Sequence, residues 1–147
     1  MYPLANGMQR ILWGRSIMKI SNKREDAIYE SLVRGFELEK ISDWDGAVAA
    51  FTIAAKLGST DAKSMLGTIF DDRIVPARPR EAVYWYKKGV EAGDENCAWN
   101  LAMHYKGLKQ KRWYAYWLNV AKTMGYPEAT HEIVTNNWWV KLHGERP

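Results

Sequence analysis

The side chains best equipped for chemistry are three histidines, His104, His131 and His143, one thiol, Cys97, and an adjacent carboxylate pair, Asp71 and Asp72. Imidazole binds transition metals and moves protons, a thiolate attacks electrophiles, and paired carboxylates work as acid and base. Each use needs partners at a set spacing. The histidines show no metal-ligand spacing, and THEIVTN around His131 lacks the second histidine of a zinc-protease helix. There is no glycine-rich loop to cradle a phosphate. Asp71 and Asp72 end a helical segment beside Arg73, which reads as solvated surface. The expectation is therefore a protein without enzymatic activity, metal or cofactor.

The elements that would position these residues follow from length and charge. At 147 residues the chain is long enough for one domain with a sizeable core. A lone cysteine closes no intramolecular bridge and fits a reducing compartment, so a cytoplasmic protein is expected. Eight tryptophans and eight tyrosines imply either a helical core packed with large rings or aromatics held for a partner. The net charge of +4 is unevenly spread: Arg10, Arg15, Lys19, Lys23 and Arg24 all precede the first acid, Glu25. Residues 1–24 read as a basic tail, disordered or outside the native start, because Met18 opens MKISNKREDAIYESL as a natural bacterial beginning would. The tail has no apolar core of a secretory signal, and no stretch approaches a membrane span.

Repeats set the fold. AVAAFTIAAKLGSTDA from Ala47, AVYWYKKGVEAGDENC from Ala82 and YAYWLNVAKTMGYPEA from Tyr114 align position by position. Each has a bulky residue four places in (Phe51, Tyr86, Leu118), a small one at seven (Ala54, Gly89, Ala121) and glycine at eleven (Gly58, Gly93, Gly125). A further small residue follows in each copy (Ala62, Cys97, Ala129), which makes Cys97 a small core residue rather than a nucleophile. Offsets 0, 4 and 7 share a helix face, and the glycine suits a left-handed C-terminal cap. The acid or Ser/Thr after it can cap the next helix. Tyr84, Trp85 and Tyr86 are accordingly expected to be mostly interior.

Upstream of each copy lies a second amphipathic helix: DAIYESLVRGFELEKI, TDAKSMLGTIFDD and ENCAWNLAMHYKG. Each carries a small residue followed three later by a bulky one, Gly35 and Leu38, Gly67 and Phe70, Ala102 and Tyr105, as a close helix crossing requires. Three antiparallel helix pairs and a last helix from about Pro127 to Leu142 result, with Pro127 in its first turn. The repeat domain spans residues 25–142, and 143–147 form a short tail.

The run EAVYWYKKGVEAGDENCAWNLAMHY resembles the Sel-one-like repeat (SLR), a relative of the tetratricopeptide repeat. The first copy, with Gly35, Ala47, Phe51 and Ala54, is closer to the tetratricopeptide pattern; the second, with three extra loop residues around VPARP, is the most SLR-like. The resemblance covers about Asp26 to Val134. Ala102 stands where the repeat has glycine, Tyr114 where it has alanine, and the third copy has a short loop, KGLKQ. The resemblance implies an all-α solenoid, a right-handed superhelix whose first helices line a concave face used to bind proteins. Repeat physics agrees, since no single pair can bury its apolar stripe and a terminal helix must cover the exposed end.

Projecting one face of each first helix gives the candidate protein-binding residues: Tyr29 and Phe36, then Ser64, Thr68 and Asp71, then Trp99, Met103 and Lys106. His131 and Trp138 extend the set along the last helix. The expected function is a non-enzymatic adaptor or inhibitor holding another protein in this groove, with a toxin-neutralising immunity protein as one analogy. A nucleic-acid binder using the basic loop KGLKQKR, residues 106–112, is the alternative. It is disfavoured because residues 25–105 carry nine basic and fourteen acidic side chains, which repel a phosphate backbone. The Trp138–Trp139 helix could also join two copies of the chain.

Overall fold

The structure, a computed structural model, describes residues 5–135, with side-chain surroundings from Asn22 onward. Among these residues every regular element is helical and no strand occurs. The helices are α1 (Ala5–Lys40), α2 (Trp44–Lys56), α3 (Thr60–Thr68), α4 (Pro79–Glu91), α5 (Glu95–Gly107), α6 (Lys111–Met124) and α7 (Pro127–Thr135). α3 runs on into a single wider π turn, Ile69–Arg73. Each helix packs on the one before it and the one after it, and α3 also touches α5.

Local chemistry accounts for the boundaries. Gly58, Gly93 and Gly125 all have positive φ, at 107°, 91° and 98°, a conformation that a side chain would strain. Asp43, Ser59 and Asp94 then accept backbone N–H bonds from Gly46, Ala62 and Asn96 at the starts of α2, α3 and α5. Pro79 occupies the first turn of α4, where its missing N–H costs nothing. Of the three connections without glycine, two place Ser42 and Lys109 at φ 59° and 57° instead.

The core lies along the crossings that the small residues permit. A Cβ on Gly35 would fall 2.5 Å from the Phe51 ring, and one on Gly67 would collide with the Tyr86 ring. Glycine is what lets these rings, fully or almost fully buried, lie against the opposing backbone. In the third hairpin the corresponding positions hold Leu118 and Ala102, and both are fully buried. The α4–α5 crossing shows a matched exchange of the same kind. Cys97 fills the place a Gly89 Cβ would take, while the corresponding positions of the other copies are both alanine, Ala54 with Ala62 and Ala121 with Ala129.

Three features differ from the sequence reading. α1 begins at Ala5 rather than Asp26, so the basic segment is helical from residue 5 onward, and Arg24 donates from Nε to the Leu57 carbonyl at 2.7 Å at the end of α2. A cation on the last carbonyls of a helix is favourable there. Tyr84 is exposed rather than interior, because it sits two places from Tyr86 on the opposite side of α4; Tyr86 is buried and Trp85 half-buried. The first-helix segment of the second pair ends in the π turn, which swings Asp71 inward.

Candidate functional site

A cleft of about 560 Å³ opens where the end of α3, the loop after it and α5 come together. Thr68 and the π-turn acids Asp71 and Asp72 form one side, with Asn100, Met103 and His104 of α5 opposite them. Ala77 of the loop, Pro79 and Tyr86 of α4, and Gly107 and Leu108 complete it. The second copy's extra loop residues thus build part of the wall. The loop is fastened to the π turn by the Arg78 N–H, which donates to the Phe70 carbonyl at 2.8 Å, and by the Arg78 guanidinium, 4.7 Å over the Phe70 ring. The same guanidinium pairs with Glu81 at 2.7 Å, which holds that carboxyl below its ordinary range.

The polar groups of the cleft are ordered by one another. His104 Nδ1 lies 2.7 Å from Asp71 Oδ1, with the imidazole 6% exposed and the carboxylate 26%. Asp71 therefore is not the solvated surface acid that its neighbourhood in the sequence suggests; Asp72, at 62% exposure beside Arg73, is. Nearby, the Tyr86 hydroxyl donates to Thr68 Oγ1 at 3.4 Å, and Thr68 donates to the Ser64 carbonyl at 3.2 Å. Burial, before any neighbouring charge, pushes the Tyr86 phenol far above its ordinary value, so it is a neutral donor. Among the described residues no cluster of three potential metal ligands exists.

Of the sequence-derived candidates, the structure brings Thr68, Asp71 and Met103 together at this cleft. Ser64 lies behind it, buried. Trp99 stacks face to face on Tyr126 at 4.7 Å, one ring face covered by the chain itself. Lys106 turns away and pairs with Glu132 of α7, which also accepts from the Tyr114 hydroxyl at 2.6 Å. The basic loop therefore has one of its charges tied down within the fold. Tyr29 and Phe36 sit apart on α1; Tyr29 is 69% exposed, while Phe36 meets Phe51 edge to face at 5.2 Å. His131 is exposed on α7, and Trp138 lies outside the described residues.

Sequence reasoning missed His104 and Asn100. The repeat register does not find them: it pairs Asp71, four places after Gly67, with Lys106, four places after Ala102, rather than with His104. Cys97 is not part of the cleft. Its thiol is buried, donates to Asp94 Oδ2 at 3.3 Å, and is pushed up to about 12, first by burial and then by the Asp94 charge. Such a thiol is a poor nucleophile at neutral pH.

Most rings serve the fold. Tyr105, Trp113, Tyr116 and Trp117 form a run of stacked and edge-to-face contacts across α5 and α6. Among the described helices none is long and apolar enough to cross a membrane. Compared with known proteins, the chain matches no family model and no curated protein.

Proposed function

We propose that this chain is a non-enzymatic helical-repeat interaction module of the Sel-one-like kind, docking a partner polypeptide on the face where α3 and α5 meet. The observation that carries the reading is the convergence of Thr68, Asp71 and Met103. One repeat register selects them from two different helices, and they line a single opening. A right-handed superhelix of three helix pairs accounts for this, since it sets successive first helices side by side along a concave face. In this reading Tyr29 and Phe36, exposed on α1, are candidates for an aromatic end of the docking surface. An adaptor or an inhibitor would use the surface in the same way. Nucleic-acid binding is the weaker reading, because the cleft is lined by acids and Lys106 is engaged by Glu132.

The test is a partner purified from the native host and rebound to the purified chain. Gly107 borders the cleft and a Cβ added there meets nothing within 4 Å, so Gly107→Trp is expected to obstruct the opening without disturbing the core. It is expected to weaken the complex at least about tenfold, while Ile53→Trp, on the exposed side of α2, leaves it unchanged. Equal effects from the two variants, or salt-sensitive binding of single-stranded RNA or duplex DNA in place of a protein, would sink the proposal.

A further inference from the structure

α1 is divided by charge. Arg10, Arg15, Lys19, Lys23 and Arg24 lie in a first half without a single acid, whereas Glu25, Asp26, Glu30, Glu37 and Glu39 crowd the second, against Arg34 and Lys40. Cations at the start of a helix oppose its dipole, so the first half is stabilised by negative charge brought to it from outside. That half also runs on past its neighbour. Arg24 meets the Leu57 carbonyl at the end of α2, and α1 continues from there back to Ala5, which at ~1.5 Å per residue is roughly another 30 Å of helix. Helices of this kind draw most of their stability from a packed face.

The second half shows such a face without a cover. Tyr29, Val33 and Phe36 are all exposed, and together with Asp26 and Lys40 they alternate three- and four-residue steps, the spacing of a coiled-coil seam. Carried back along α1, the same steps fall on Asn22, Lys19, Arg15, Leu12 and Met8. The seam is therefore apolar towards both ends and charged in the middle, basic before Asn22 and acidic at Asp26. We infer that a second copy of this chain covers it, the two α1 helices lying antiparallel about a two-fold axis. One register matches every layer: Met8 opposite Val33, Leu12 opposite Tyr29, Arg15 opposite Asp26 and Lys19 opposite Asn22. A slip of one heptad in one direction sets Arg15 against Val33 and Lys19 against Tyr29; in the other it sets Leu12 against Asn22 and Arg15 against Lys19. A parallel pair in register opposes each cation to itself. Glu30 and Glu37, beside the stripe, would likewise repel their own copies in a parallel pair, but in the antiparallel one they meet the acid-free half. The inference goes beyond the docking reading: it takes Tyr29 and Phe36 out of that surface and leaves the cleft, built by other helices, untouched.

Sedimentation equilibrium of the full chain at tens of micromolar is expected to show a dimer. Arg15→Asp and Asp26→Arg should each weaken it at least about tenfold, because either change opposes like charges in two symmetry-related layers. Arg15→Asp together with Asp26→Arg restores opposite charges and should return the dissociation constant to within about threefold of the parent, which also shows that the single variants had not merely unfolded. Leu12→Cys with Tyr29→Cys should close disulfide-linked dimers under mild oxidation, the buried Cys97 standing apart. A monomer throughout this range, even one that bound a foreign basic helix over Tyr29, would overturn the inference. So would a dimer indifferent to both single reversals, or one that the double change failed to rescue. Linked dimers from Tyr29→Cys alone would overturn the antiparallel register. Gly107→Trp should leave the dimer unchanged, so this reading and docking at the cleft fail separately.

Discussion

Between α3 and α4 the chain takes a π turn and then Ile74 to Arg78 before it reverses, whereas between α5 and α6 only Leu108 to Gln110 intervene. The helices on either side carry matching residues in the two hairpins: Gly67 against the Tyr86 ring in one, and the buried Ala102 and Leu118 at the corresponding positions in the other. Stacking fixes those faces, because each is covered by a neighbour and a change in volume is felt at once. The connection is under no such constraint and can widen. The cleft borders the wide connection, and the tight one contributes Leu108 to its rim. Site formation in this chain is thus a matter of the loop, on a frame held constant by the crossings.

If the two hairpins are variants of one packing solution, the parts should exchange. The largest effect is expected at Gly67, where alanine drives a methyl into the Tyr86 ring. Gly67→Ala should cost about 3 kcal/mol in chemical denaturation, at the upper end of overpacking penalties. Adding Tyr86→Leu recreates the Ala102–Leu118 combination and should recover at least about 1 kcal/mol of that loss. A double variant no more stable than the single one would break the equivalence of the hairpins.

A smaller effect sharpens the same comparison at the α4–α5 crossing. Gly89→Ala alone meets the Cys97 sulfur and should destabilise by about 1–3 kcal/mol. Gly89→Ala with Cys97→Ala restores the alanine pair of the other copies and removes a glycine from mid-helix, where it costs about 1 kcal/mol. The double variant should match or exceed the parent in denaturant midpoint. The smallest expected change is in the tight turn. Lys109→Gly relieves a left-handed side-chain residue at φ 57° and should stabilise by up to about 1 kcal/mol, visible as a rise in Tm. A fall in Tm would mean that the Lys109 side chain contributes more than its backbone strain removes.

The helix order, the three cap glycines and the close crossings were legible in the sequence because each has a local signature: period, breaker and paired residue volumes. The start of α1 was not. Gly7 and Gly14 lower the helix propensity of this segment, and its first turn carries no acid to mark a start. The π turn was equally hidden, since one wider turn leaves the surrounding 3.6-residue pattern intact. That turn decides where Asp71 points. The acid was therefore placed on the right helix and in the candidate groove, while its contact with His104 needed the neighbouring helix to be seen beside it.

The packing of Cys97 against Gly89 gives the sulfur a further meaning. The residue is fully buried, with the Gly89 backbone on one side of the sulfur and the Asp94 carboxylate 3.3 Å away on another. Peroxide can reach it only in chains whose middle crossing has come apart. Oxidation at this position would accordingly report that the crossing had opened.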